Sequence, residues 1–156
     1  YKRQHNSRWP YGRLLADILG QSLRDRFNTG DPQPDCLLPV PLSTQRLRQR
    51  GYNQAAMLAQ WLSRDLGIAC HDDWLLRHQD TAAQQALDAK ARKRNLLHAF
   101  SLAPQVDVRG LHLALVDDVL TTGATAQSLA HLLRQAGARQ VDVYCLARTP
   151  RPDAPP

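Results

Sequence analysis

Apolar residues recur at helical spacing in three stretches of the chain. In residues 11–27 this spacing predicts an amphipathic helix whose buried face consists of Leu15, Ile18, Leu19 and Leu23. A second helix is expected to begin after Asn53, which can cap it, and to end at Gly67, with an inward face of Leu58, Trp61, Leu62 and Leu66. Residues 126–136 predict a third helix, which ends at Gly137.

Short apolar runs between these helices predict buried strands. Residues 36–41, 111–116 and 141–147 form the clearest runs, and residues 68–76 and 98–102 are weaker candidates. Strands therefore alternate with helices, which is typical of parallel βαβ units. We predict an α/β fold with a mainly parallel central sheet flanked by helices, and ligands are expected at the carboxyl ends of its strands.

Three stretches depart from this pattern. Residues 43–52 are polar and rich in arginine, and they predict a loop. Residues 77–93 have no clear period at first and become compatible with a helix after Asp88. Residues 150–156 are rich in proline and predict a disordered tail, which leaves residues 1–149 as one domain.

Composition narrows the class of protein. The chain has 156 residues and a formal net charge of +6, a surplus that favours phosphates, nucleotides or nucleic acid without choosing among them. No apolar run is long enough to cross a membrane. The three cysteines, Cys36, Cys70 and Cys145, form no Cys-x-x-Cys pair, so we expect neither a zinc ribbon nor a redox pair. Their usage suits the reducing cytoplasm.

The segment with the clearest chemistry is residues 113–125, whose sequence is LALVDDVLTTGAT. A buried strand is expected to end at Asp117 and Asp118, followed by a small polar turn and the start of a helix. Free amide groups at a helix start bind anions, and carboxylates suit sugar hydroxyls or a hydrated Mg²⁺. The segment therefore predicts a site for a phosphorylated ribose. Alternatively, the two acids simply end a strand and a threonine caps the helix. Two other nucleotide-binding motifs, the P-loop and G-x-G-x-x-G, are absent from the sequence.

This segment resembles the phosphoribosyl-pyrophosphate (PRPP) signature of type I phosphoribosyltransferases. Further segments resemble the ComF/GntX-like family, which is associated with competence and DNA utilisation, and together they extend over residues 1–149. The matching pieces are Pro-Val-Pro-Leu at 39–42, Arg-Gly-Tyr-Asn-Gln at 50–54, Thr81, Gln84, Leu87, Arg92, Asn95, Phe100 and Leu-Ala-Arg-Thr at 146–149. The cysteine-rich zinc ribbon usual at the amino terminus of this family has no counterpart here, so the sequence is expected to represent a member without its ribbon and without zinc.

The resemblance implies roles for individual residues. Asp117 and Asp118 would act as catalytic residues that bind the ribose hydroxyls of PRPP and help to place Mg²⁺. The 5′-phosphate would be held by Thr121, Thr122, Gly123, Ala124 and Thr125. The pyrophosphate group would be held by Leu42, Ser43, Arg46 and Arg50.

The resemblance also implies a mobile loop over residues 77–95, which would close over the site. Arg92 is a catalytic candidate within this loop, and the other loop candidates are Arg77, Thr81, Gln84 and Asn95. A small hood region would hold the acceptor base, with candidates in residues 1–9 and 68–76. Neither stretch carries a readable code for base recognition.

The predicted site, the resemblance and the net charge together lead to three hypotheses about function. The first is Mg²⁺-dependent transfer of phosphoribosyl from PRPP to a nitrogen acceptor such as a nucleobase. The second is a non-catalytic PRPP- or nucleotide-binding accessory role in DNA uptake or use, and the third is direct DNA binding. The expected partners are PRPP, a nucleobase, a second copy in a homodimer, and DNA-uptake proteins or DNA, without insertion into a membrane.

Overall fold

The computed structural model describes residues 11–78 and 98–149. Its helices are α1 (Gly12–Asn28), α2 (Thr44–Arg50), α3 (Gln54–Leu66) and α4 (Ala124–Gln135). Its strands are β1 (Cys36–Pro39), β2 (Ala69–Cys70), β3 (Leu75–Arg77), β4 (Phe100–Leu102), β5 (His112–Leu120) and β6 (Gln140–Arg148). The predicted proline-rich tail and the amino-terminal hood candidate lie outside these residues.

A parallel sheet with the strand order β2-β1-β5-β6 forms the centre of the described structure. In its register, Pro39 pairs with Val116, and Asp117 pairs with Cys145. Because these strands are parallel, their carboxyl ends lie at the same edge of the sheet. Strands β3 and β4 form a separate antiparallel pair. The predicted α/β class with a parallel central sheet is confirmed.

Successive side chains of β1 and β5 enter two different cores, because the side chains of a strand alternate between the faces of its sheet. One core packs against α4 and the β3–β4 pair and contains Cys36, Leu38, Leu113, Leu115, Leu129, Leu133 and Phe100. The other core packs against α1 and α3 and contains Leu23, Leu37, Leu58, Leu62, Ala114, Val116 and Tyr144. In the described parts of the chain, the sheet is therefore covered by helices on both faces.

Helix α1 buries only part of the predicted face. Its buried residues are Gly12, Ala16, Gly20 and Leu23. Leu23 is buried and Leu19 packs against the same core, as expected, but Leu15 and Ile18 are 39% and 60% exposed. Small residues allow α1 to approach α3 closely: a β-carbon added at Gly20 would lie 3.6 Å from Cδ2 of Leu62. Hydrophobic periodicity selects large residues and so missed a contact made by small ones.

Several predicted element boundaries also need correction. Residues 43–52 were expected as a loop, but they contain α2, which Ser43 caps and Gly51 ends in the left-handed conformation. Strand β5 does not end at the paired acids but continues to Leu120, because β6 pairs with it as far as Arg148. The expected strand over residues 68–76 is divided into β2 and β3. No helix in the described parts of the chain has the length and apolar character to cross a membrane.

Candidate functional site

A cleft with a volume of about 370 Å³ lies at the carboxyl ends of β1 and β5. It is lined by the residues that follow β1, by the end of β5, and by the first residues of α3 and α4. The predicted site residues that line it are Leu42, Arg46, Arg50, Arg77, Asp117, Asp118, Thr121, Thr122, Gly123, Ala124 and Thr125. Segments separated by more than seventy positions in the sequence thus meet at one edge of the sheet.

The two carboxylates of the cleft are adjacent and partly buried. The backbone N–H of Asp118 donates a hydrogen bond of 2.9 Å to Oδ1 of Asp117, and that of Val119 donates one of 2.9 Å to Oδ1 of Asp118. Burial, and secondarily the charge of Asp118, raises the pKa of the Asp117 carboxyl to about 7. Asp117 therefore carries a carboxylate charge that the folded protein accommodates poorly and that a bound cation or hydroxyl group would stabilise.

The turn between β5 and α4 presents polar groups to the same cleft. Gly123 precedes α4 with a φ of 78°, a left-handed conformation that glycine adopts without strain. The Oγ1 of Thr122 accepts a long hydrogen bond of 3.3 Å from the N–H of Ala124. No side chain caps α4 at Gly123. Its first turn therefore points positive amide groups into the cleft, an arrangement that favours an anion.

The opposite wall is formed by the residues between β1 and α3. The Nδ2 of Asn53 donates a hydrogen bond of 3.0 Å to the carbonyl of Val40, and its Oδ1 accepts one of 3.0 Å from the N–H of Ala55. Asn53 thus caps α3, as predicted, and also fixes the chain after β1. The guanidinium of Arg50 donates a 3.3 Å hydrogen bond to Oε1 of Gln54. The sequence did not indicate either the contact to Val40 or this role of Gln54.

Ser43 is the predicted pyrophosphate residue that does not line the cleft. It is buried, its Oγ accepts a hydrogen bond of 3.3 Å from the N–H of Arg46, and it lines a neighbouring groove. Arg77 was expected in the mobile loop, but it lies in β3, where its guanidinium is 5.3 Å from the ring centroid of Phe100. The remaining candidates lie outside the described residues: Thr81, Gln84, Arg92 and Asn95.

The donor set of the cleft fits Mg²⁺. Two partly exposed carboxylates leave room for water, and Mg²⁺ in phosphate sites typically binds one or two carboxylates together with water and substrate oxygens. Within residues 11–78 and 98–149, no group of three or more His, Cys, Asp or Glu side chains is arranged to hold a metal ion. Among the described residues of the cleft, Asp117 and Asp118 are the carboxylates that would hold Mg²⁺, with water and substrate oxygens completing its coordination.

Solved structures similar to this one define its class. A purine phosphoribosyltransferase from Pyrococcus horikoshii matches 95% of this chain and 80% of its own, with a TM-score of 0.57 and 19% identity. Glutamine PRPP amidotransferase from B. subtilis, complexed with ADP and GMP, matches 93% of this chain and 27% of its own, with a TM-score of 0.58 and 20% identity. The fold is therefore that of the type I phosphoribosyltransferases.

Curated relatives specify the family, although no family model matches the chain. The DNA utilization protein YhgH of Salmonella typhi is 45% identical over 136 residues, covering 87% of this chain and 59% of the relative. Competence protein F of Haemophilus influenzae is 42% identical over 138 residues, covering 87% and 60%. Competence protein ComFC of Bacillus subtilis is 31% identical over 114 residues. The chain belongs to the ComF family, and it spans about three-fifths of the length of the first two of these relatives.

Proposed function

We propose that this domain binds PRPP together with Mg²⁺ and transfers its phosphoribosyl group to a nitrogen acceptor. The observation that carries the proposal is the shared cleft, which is lined by two carboxylates, an amide-rich turn and three arginines. The turn at residues 121–125 would hold the 5′-phosphate, Asp117 and Asp118 the ribose hydroxyls, and Arg46 and Arg50 the pyrophosphate. The negative phosphate groups would meet amide donors and arginines, and the ribose hydroxyls would donate hydrogen bonds to carboxylates.

The proposed reaction needs no covalent intermediate with the protein. The lone pair of the acceptor nitrogen forms a bond to C1′ while the bond from C1′ to the pyrophosphate oxygen breaks, and the pyrophosphate leaves with that electron pair. The acceptor nitrogen then releases a proton to solvent. The protein contributes by orienting the reactants and by neutralising charge through Arg46 and Arg50. Mg²⁺ would supply additional charge neutralisation for pyrophosphate.

A second candidate function is PRPP or nucleotide binding without turnover, in support of DNA uptake or use. The names of the relatives favour it, because they describe DNA utilisation and competence rather than a transferase reaction. Direct DNA binding remains a third proposal, supported by the net charge of +6. The cysteine usage supports a cytoplasmic location for each of these functions.

Turnover separates the first two functions. Purified chain would be incubated with PRPP, Mg²⁺ and each of a panel of nucleobases, and release of pyrophosphate would be measured. The transferase proposal predicts base-dependent release that Asp117→Asn with Asp118→Asn abolishes, while Asp17→Asn with Asp25→Asn, on α1 and outside the lining of the cleft, leaves it unchanged. PRPP binding without release for any base would favour the accessory function.

A further inference from the structure

The arginines of α2 face two different depressions. Arg46 and Arg50, four positions apart, lie on one side of the helix and line the cleft. Arg48 lies on another side and lines a neighbouring groove of about 430 Å³ together with Ser43, Thr44, Arg77 and His78. Arg77 lines both depressions, so the groove adjoins the cleft directly. A ligand in the groove would lie beside a PRPP molecule in the cleft.

Arg48 differs from several other arginines of the described residues in its ion pairing. Arg13, Arg26 and Arg109 each form an ion pair with an aspartate. By contrast, no ion pair joins Arg48 to a carboxylate in the described parts of the chain, and no acidic residue is among those that line the groove. The sequence also contains no acid between Cys36 and Arg64. The groove is thus suited to an anionic partner.

The groups in the groove are suited to a phosphate. Guanidinium groups present planar pairs of donors to phosphate oxygens, and hydroxyl groups such as that of Thr44 add further donors. Arg77 is held by its contact with the Phe100 ring, and His78 contacts the hydroxyl of Ser101, so both side chains are oriented by β4. Arg48 is exposed and can close on a bound group.

We propose that this groove is a second phosphate site, which binds the phosphate group of the acceptor. The acceptor would then be a phosphorylated base compound, such as a nucleotide, rather than a free nucleobase. The assignment of the ligand as an acceptor rests on the proposed function, whereas phosphate binding in the groove does not. The phosphate can belong to a small nucleotide or to a nucleic-acid strand, and the experiment distinguishes these sources.

Calorimetry with the full chain tests the proposal. Ribose 5-phosphate and Mg²⁺ would be present in excess to fill the cleft, and the probes would be adenosine 5′-monophosphate (AMP), adenosine, and a single-stranded hexathymidylate without terminal phosphates. AMP is expected to bind more tightly than adenosine, and Arg48→Ala is expected to weaken AMP binding about tenfold, since a hydrogen bond to a charged group is worth ~1.5–3 kcal/mol. Binding of hexathymidylate, but not of AMP, that depends on Arg48 would assign the phosphate to a strand.

A matched control removes the same charge elsewhere. Arg64→Ala, at the exposed end of α3, is expected to leave all three affinities unchanged, and neither variant should alter the affinity for PRPP. The proposal is overturned if Arg48→Ala changes neither AMP nor hexathymidylate binding, or if it weakens PRPP binding equally. Absence of PRPP binding by the parent chain would instead overturn the proposed function, while phosphate binding that depends on Arg48 would still be measurable.

Discussion

At the scale of single residues, Asp117 is in an environment that a stable fold alone would not favour, and Gly123 is in a conformation that favours glycine over other residues. Asp117 is a partly buried carboxyl beside a second carboxyl, and burial raises its pKa to about 7. Gly123 requires a φ of 78° at the start of α4. Carboxyl groups with a perturbed pKa concentrate at functional sites, because function constrains them more than stability does. Asp117 and Gly123 each provide a test that separates stability from binding.

Removing the charge of Asp117 is expected to stabilise the protein at high pH. Its pKa in the folded protein lies above the ordinary value of 3.8, so the folded state loses stability from this group as the pH rises from about 4 to about 7. Asp117→Asn should therefore raise the thermal midpoint at pH 8 by about 2–4 °C, the shift that ~1 kcal/mol produces in a domain of this size. Differential scanning calorimetry at pH 8 and pH 4 would measure this shift, which should shrink towards pH 4. An unchanged midpoint for Asp117→Asn at both pH values would contradict the account.

Substitution of Gly123 should affect both stability and binding. A β-carbon here would meet nothing within 4 Å, so the cost of Gly123→Ala arises from the backbone conformation and is about 1–2 kcal/mol. Gly67→Ala is a matched control, because Gly67 has a φ of 68°, equally open surroundings and a position remote from the cleft. Urea denaturation should reveal a similar loss of stability for both variants. Only Gly123→Ala should also weaken PRPP binding, and equal affinities for the two variants would argue against a phosphate role for the turn.

At the scale of elements, helix ends with characteristic residue types could be predicted, whereas a helix without a buried face and a strand extension that depends on pairing could not. The cap and the end of α3 were evident at Asn53 and Gly67 because both have characteristic residue types. Helix α2 was missed because it has no buried residue, and a helix without a buried face has no hydrophobic period. The extension of β5 through the acids was missed because it depends on pairing with β6, which local sequence does not encode.

Asn53 connects two of these elements, and its two hydrogen bonds can be separated. Asn53→Ala loses both the cap of α3 and the contact to the Val40 carbonyl, and we expect it to lower the free energy of unfolding by about 1–2 kcal/mol. Asn53→Ser retains a capping hydroxyl but is too short to reach Val40. Denaturation and PRPP titration of both variants would test this division. The serine variant should be near the parent in stability yet bind PRPP more weakly, and parental affinity would contradict a positioning role for the contact to Val40.

At the scale of the whole molecule, the alternating strands and helices were sufficient to predict the fold class and the edge of the sheet where the cleft lies. The Asp-Asp and Thr-Thr-Gly-Ala-Thr residues of β5 and its turn were identified from local sequence because they are contiguous. The sequence did not predict that Arg48 lines a different depression from Arg46 and Arg50, because this depends on the orientation of α2, a helix that was not predicted. Part of the positive charge behind the net charge of +6 lies in α2, in Arg46, Arg48 and Arg50, on one side of the cleft.

The most direct test of the central claim is a calorimetric titration of PRPP with Mg²⁺. It would compare the parent chain, Asp117→Ala with Asp118→Ala, and Asp17→Ala with Asp25→Ala, which removes equal charge on α1, outside the lining of the cleft. The account predicts saturable binding by the parent and the control, and a loss of about tenfold or more for the cleft variant, given ~1.5–3 kcal/mol for each hydrogen bond to a charged group. Absence of binding by the parent, or equal affinity of the cleft variant, would contradict it.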